Sequence, residues 1–208
     1  NKAERDSKIK AEKSAWETEL DKWTHETDPY SLEISKNTSY MHPRQMLREL
    51  ERAMPKRAMV STDIGNICSV SNSYLRFEEP RSMLAAMSFG NCGYAFPVAC
   101  GAKVAAPDRP AIAYVGDGAW GISLNELLTC AREEIGVTVV LFNNGQWGAE
   151  KKNHVDFYSQ RYQAVELDNP SWAAVAKAFG CDGITVDKLS DVGAALQHRV
   201  IAAFREHL

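Results

Sequence analysis

The chain has 208 residues, 45% of them apolar and 25% charged, with a net charge of -3. That length allows one α/β domain with an extension, and the charge gives no electrostatic reason to expect nucleic acid or an anionic membrane as partner. No apolar run reaches transmembrane length, and the charged opening NKAERDSKIK lacks the apolar core of a signal peptide.

Residues 1 to about 27 are rich in Lys and Glu, with Ile9, Trp16, Leu20 and Trp23 spaced along one helical face. This reads as a solvated helix whose two tryptophans dock on another surface. The polar stretch THETDPYSLEISKNTSY follows as a linker, so residues 1–40 read as helix and connection, and 41–208 as the compact domain. HPRQMLRELERAM is a helix with Met46, Leu47, Leu50 and Met54 on one side and Pro43 in its first turn, where proline is tolerated. AMVSTDIG is a short strand ending in Asp-x-Gly, and SMLAAMS is a short apolar segment. GYAFPVACGAKVAA is a small-residue helix suited to close packing on a sheet. AIAYVG is a strand, SLNELLTCAREE an amphipathic helix starting near Ser123, and VTVVLFNN a strand without polar alternation. GAEKKNHVDFYSQRY reads as a loop over a site. Lys151, Lys152, His154 and Arg161 within it could meet an anion or equally form a solvated basic face. NPSWAAVAKAFG is a helix capped by Asn169, with Pro170 in its first turn and a stop at Gly180. GITVD is a last strand and DVGAALQHRVIAAFREHL a last helix. His25, His42, His198 and His207 have no constellation around them and read as surface residues. Cys68, Cys92, Cys100, Cys130 and Cys181 form no CxxC pair and are odd in number, which suits reduced thiols in a cytoplasmic protein.

Apolar strands alternating with helices predict an α/β fold, a doubly wound parallel sheet with helices on both faces. Ligands of such sheets sit at the carboxyl ends of the strands. Three strands end in unusual chemistry there: Asp63-Ile64-Gly65-Asn66, Gly116-Asp117-Gly118 and Asn143-Asn144-Gly145-Gln146. Gly116 and Gly118 leave space beside Asp117, and the next helix turns its free N–H groups toward any phosphate placed there. A carboxylate next to a phosphate repels it unless a cation lies between. Magnesium suits that gap, taking oxygen from one or two protein groups and from phosphates. Asn144 offers an amide oxygen and Gln146 a peptide carbonyl, so Asp117, Asn144 and Gln146 form the candidate metal set. Asp-Gly and Asn-Gly are each ordinary turn dipeptides. A helical pattern after Asp117, in place of a returning strand, removes the hairpin reading.

GDG, 24 intervening residues and then NN resembles the signature of thiamine-diphosphate-dependent enzymes. The resemblance implies thiamine diphosphate and Mg²⁺ as cofactors, with the metal on Asp117, Asn144 and the carbonyl of Gln146. It implies that Gly118 and Ala119 donate N–H groups to the diphosphate, where relatives often carry a serine at the Ala119 position. DIGNICSVSNSYLRF is similar to a segment lining the diphosphate in phosphate-using pyruvate oxidases, which suggests Gly65, Asn66 and Ile67. MSFGNCGYAFPVACGAK is similar to the segment that holds the aminopyrimidine, through the carbonyl of Gly90 and the N–H of Cys92. Cys92 also stands where the family places a bulkier wedge that bends the cofactor; a buried apolar thiol is the simpler role for it. Trp147 and Gly148 adjoin the metal carbonyl and are expected to touch the cofactor.

SFGNCGYAFP, GDGAWGISL and NNGQWGAEKKNHVDFY look most like the sulfoacetaldehyde acetyltransferase branch of that family. The branch implies sulfoacetaldehyde and phosphate as substrates, and acetyl phosphate and sulfite as products. The family's activating glutamate comes from an N-terminal domain of a neighbouring subunit, which implies a homodimer or homotetramer. No segment here resembles that domain, and Glu126 and Glu150 are poor substitutes for its glutamate. The chain therefore reads as the C-terminal part of a longer enzyme, inactive by itself. Acetolactate synthase and phosphate-using pyruvate oxidase carry the same signature and stay as alternatives. A non-catalytic Mg²⁺-dependent binding module is a third. A receiver-like phosphorylation domain needs an early acidic pair, and the first strand supplies only Asp63.

Overall fold

The apolar run AIAYVG forms the central strand of a parallel sheet, and the alternation of its side chains supplies both faces of the core. The structure is a computed structural model that describes residues 1–24, 41–197 and 201–205. It divides into two compact units, Asn1–Ser39 and Tyr40–Leu208. In the first, helix α1 spans Lys2–Thr24, with Ile9, Trp16 and Leu20 exposed. The linker expected over residues 24–40 lies, after Thr24, outside the described residues, as do His25, His198 and His207.

The second unit runs α2 (Pro43–Ala53), β1 (Met59–Thr62), α3 (Asn66–Ser71), β2 (Met83–Ala85), α4 (Ala95–Ala105) and β3 (Ala111–Gly116). It continues with α5 (Asp117–Ser123), a 3₁₀ turn, α6 (Leu127–Arg132), β4 (Val137–Asn143), α7 (Gly148–Phe157), α8 (Trp172–Ala178), β5 (Gly183–Val186), a second 3₁₀ turn, α9 (Val192–Gln197) and β6 (Ile201–Arg205). The strands pair in parallel in the order β2-β1-β3-β4-β6-β5.

Successive residues of a strand point to opposite faces. Ile112 and Tyr114 therefore join Val140 and Phe142 under α2 and α9, where Met46, Leu47, Leu50, Val192 and Leu196 are buried. Ala113 and Val115 join Val139 and Leu141 on the other face, against Phe96, Ala99, Leu127, Trp172 and Ala176 of α4, α6 and α8. Each large side chain buried this way contributes about 1.5–3 kcal/mol. This is the three-layer, doubly wound arrangement expected from the strand pattern.

Five local expectations change. The helix after β3 starts at Asp117 itself, not near Ser123, because Gly116 is extended and already serves as its N-cap. The segment 148–157 is helix α7, not a loop. Ser171 caps α8, accepting from the Ala174 N–H at 3.4 Å, so Asn169 and Pro170 precede the helix. The last helix is described over Val192–Gln197, and Ile201–Arg205, expected to continue it, forms a strand between β4 and β5. Ladder hydrogen bonds on both sides override the helical preference of that Ala-rich stretch. His42 is not an idle surface residue: its Nδ1 accepts from the Arg44 N–H at 3.2 Å and caps α2.

Among the described residues no helix is long and apolar enough to cross a membrane. All five cysteines are free thiols.

Candidate functional site

From β1 the sheet grows one way to β2 and the other way to β3, so the chain reverses direction between β1 and β3. A crevice opens at the carboxyl ends of strands at such a switch point. The register sets Gly116 opposite Phe142, so Asp117 and Asn143 leave the sheet side by side.

Asp117 is buried, with 3% of its surface exposed. Its Oδ2 accepts from the Gly145 N–H at 2.7 Å and from Asn169 Nδ2 at 2.6 Å, and its Oδ1 accepts from the Gly118 N–H at 3.1 Å. Burial pushes this carboxyl above the usual aspartate range, while these donors pull it back by favouring the ionised form. Asn169 Nδ2 also reaches Asn143 Oδ1 at 2.9 Å.

The Asn144 side chain folds over its own turn, with Oδ1 accepting from the Gln146 N–H at 3.1 Å. Gln146 forms an isolated antiparallel bridge with Glu166. Its hydrogen bonds come from the flanking residues, Leu167 N–H to Gly145 O at 2.7 Å and Trp147 N–H to Val165 O at 2.8 Å, so the ladder does not use the Gln146 carbonyl. Lys151 Nζ donates to Gln146 Oε1 and to Glu166 Oε1, both at 2.7 Å.

A cavity of about 120 Å³ lies above these tips. Gly65, Asn66, Ile67, Cys92, Asp117, Gly118, Ala119, Asn144, Gln146, Trp147 and Gly148 all line it, joined by Gly116 and Glu150. Gly90 does not; its N–H is tied to the Ala86 carbonyl at 2.8 Å in the turn after β2. Space opens at Gly116, where an added Cβ would meet nothing within 4 Å, but not at Gly118, where it would stand 2.8 Å from the Trp147 ring. That corrects the expectation of room at both glycines: Gly118 is small so that the indole can lie against it.

Asp63 is fully buried at the end of β1. Its carboxylate accepts from the Ile64 and Gly93 N–H groups at Oδ1 and from the Ala95 N–H at Oδ2, each at 3.0 Å. It fixes the start of α4, and with it the Cys92 segment, against the tip of β1. Burial raises its carboxyl above the usual range against those donors. Burial also raises the Cys92 thiol, helped by the negative charges of Asp63 and Glu150, so Cys92 meets the cavity as a neutral thiol.

The basic residues of α7 and of the turn after it have other tasks. Lys152 pairs with Asp156 at 2.6 Å, Arg161 Nε donates to the Tyr158 carbonyl at 3.0 Å, and the His154 ring packs on Tyr158 and Tyr162. Glu126 accepts from Thr129 Oγ1 at 2.9 Å, away from the cavity lining. Sequence reasoning missed Asn169, read as a helix cap. The one signal was a second capping residue two positions on, Ser171, which left Asn169 free for other work.

The candidate donor set is hard and carries a single negative charge: one carboxylate, one amide oxygen and one peptide carbonyl. Among the described residues no three His, Cys, Asp or Glu side chains cluster as a metal cage. Such a set suits a small hard cation whose remaining ligands are phosphate and water, and an open space over Gly116 beside the first turn of α5 suits the phosphate. Residues present and the Mg²⁺-diphosphate group fit one another.

Comparison with known proteins agrees. Residues 63–205 match the family described as thiamine pyrophosphate enzyme, C-terminal TPP binding domain. The chain is 60% identical to the sulfoacetaldehyde acetyltransferase of Castellaniella defragrans over 99% of its own length and 35% of that protein. It is also 60% identical to the one from Alcaligenes xylosoxydans xylosoxydans, over 99% of its length and 36% of that protein. The mitochondrial acetolactate synthase catalytic subunit of Aspergillus candidus is 29% identical over 92% of the chain and 28% of that protein. The chain spans about a third of the length of these two curated relatives. A switch-point cavity walled by the GDG and NN strand tips, and a family match running from Asp63 at the tip of β1 to the last strand, lead to one conclusion: the chain belongs to the thiamine pyrophosphate enzymes, as a C-terminal TPP binding domain.

Proposed function

We propose that the chain is the cofactor-binding part of an acetyltransferase that converts sulfoacetaldehyde and phosphate to acetyl phosphate and sulfite. The observation that carries this reading is 60% identity to sulfoacetaldehyde acetyltransferases along virtually the whole chain, against 29–32% for acetolactate synthases.

Thiamine diphosphate, when bound, supplies the carbanion chemistry at the substrate carbonyl. The residues of this chain bind and orient. Asp117, Asn144 and the Gln146 carbonyl would hold Mg²⁺, and the Gly118 and Ala119 N–H groups would meet the diphosphate. Gly65, Asn66 and Ile67 would wall the diphosphate from the β1 side. The Gly90 carbonyl and the Cys92 N–H are assigned to the aminopyrimidine, with the Cys92 side chain beneath the cofactor. Trp147 and Gly148 would close the metal side. Preorganised charge and N–H groups of this kind need no reorganisation as the reaction proceeds. The full-length protein is proposed to be cytoplasmic and at least dimeric, its activating glutamate arriving from a neighbouring subunit.

The test incubates the full-length protein with sulfoacetaldehyde, phosphate, thiamine diphosphate and Mg²⁺. Sulfite release in step with acetyl phosphate supports the proposal. Acetolactate from pyruvate, with no sulfite from sulfoacetaldehyde, overturns it.

A further inference from the structure

We propose that Asn169 is a positioning residue that selects which oxygen of Asp117 faces the cation; this rests on the cation site proposed above. Asn169 lies on the irregular segment before α8, 52 positions from Asp117, and has no place in the GDG and NN motifs. Its one amide nitrogen spends both protons at the strand tips, on Asp117 Oδ2 at 2.6 Å and on Asn143 Oδ1 at 2.9 Å. Oδ2 also takes the Gly145 N–H at 2.7 Å. Both donors to Oδ2 come from outside α5 and both bonds are short. Oδ1 takes the adjacent Gly118 N–H at the longer 3.1 Å. The carboxylate is thus saturated on one side and offers Oδ1 to a metal.

The same segment braces the rest of the loop. Leu167 N–H holds the Gly145 carbonyl, Val165 O takes the Trp147 N–H, and Glu166 shares Lys151 with Gln146. Asn169 closes this strap onto Asp117. Partners of this kind fix the rotamer of a metal ligand and tune its basicity, and their loss typically costs 10–100-fold in metal affinity.

The experiment uses the full-length protein with Mn²⁺ as the probe, free Mn²⁺ being read by electron paramagnetic resonance at saturating thiamine diphosphate. Four proteins are compared: wild type, Asn169→Ala, Asp117→Asn and the double variant. Thermal melting of each metal-free protein is recorded alongside. The expected result is roughly 10–100-fold weaker Mn²⁺ binding by Asn169→Ala, with a larger loss in Asp117→Asn. Asn169→Ala should add less than about twofold in the Asp117→Asn background, since its partner is already gone. Three results overturn the proposal: Mn²⁺ affinity of Asn169→Ala within about twofold of wild type, independent multiplication of the two effects, or a lowered melting temperature with unchanged Mn²⁺ affinity. Undiminished Mn²⁺ binding by Asp117→Asn overturns the cation site itself, and the role of Asn169 with it. Loss in Asp117→Asn without loss in Asn169→Ala overturns only the latter.

Discussion

Asp117 Oδ2 and Asn169 Nδ2 meet at 2.6 Å across 52 positions of sequence, and Asn143 joins them through the same nitrogen at 2.9 Å. One amide therefore ties together the tips of β3 and β4. The two bonds are unequal in consequence, because Asp117 is a proposed metal ligand and Asn143 is not.

Asn143→Ala removes only the second bond. A single hydrogen bond contributes about 0.5–1.5 kcal/mol net, so Mn²⁺ affinity of the full-length protein is expected to fall by roughly 2–10-fold, less than in Asn169→Ala. Titration of the two variants side by side checks the order. Equal losses would mean that Asn143 itself contacts the cation.

Gly118→Ala places a methyl 2.8 Å from the Trp147 ring. The indole must move, since overpacking of this kind costs about 1–3 kcal/mol. A weaker affinity for thiamine diphosphate and a changed tryptophan emission are expected. Adding Trp147→Ala should restore stability that the single substitution loses, a coupling that a double-mutant cycle in urea measures. Additive losses would show that the methyl meets no resistance from the ring.

Gly183→Ala meets backbone rather than a side chain: the new Cβ would stand 2.5 Å from the Ala173 carbonyl oxygen and 2.9 Å from its Cα. Neither atom can swing aside without shifting α8 from β5. The expected cost is about 1–3 kcal/mol or more, seen as a fall of roughly 2–4 °C in Tm per kcal/mol. Because β5 lies far along the sheet from the cavity lining, cofactor affinity of the folded fraction should hold. A Tm equal to wild type would refute the close approach.

Asp63 gives a pH dependence of defined sign. Its carboxyl titrates above the usual aspartate value in the folded chain because it is buried. Between the usual value and that raised one, the folded state holds more protons than the unfolded state. The Asp63 contribution to stability therefore grows as pH falls through this window, and shrinks as pH rises through the folded pKa. Asp63→Asn removes that dependence and turns an amide donor toward backbone N–H groups, costing about 1–3 kcal/mol. Urea unfolding at a series of pH values should show the gap between wild type and variant widening on acidification across the window. A gap that narrows would mean that the folded pKa is lowered, not raised.

The strand tips were legible along the chain because local chemistry marks them. A buried apolar run cannot end in Gly-Asp-Gly or Asn-Asn without leaving polar groups at a sheet edge, and the spacing of GDG and NN fits one strand–helix–strand unit. The two faces of the core were legible for the same reason: alternation in AIAYVG and VTVVLFNN dictates which side chains share a side. Folding alone decided what depends on residues brought together from afar. Asn169 reaches Asp117, Asp63 takes the N–H groups at the head of α4, and Trp147 closes on Gly118, each across a separation that no local pattern records. The last strand is the same case. IAAFR has the composition of a helix, and it becomes a strand because unpaired ladder groups of β4 and β5 flank it on both sides. Local sequence fixes which groups must be satisfied; which partner satisfies them is set only when the strands have found their register.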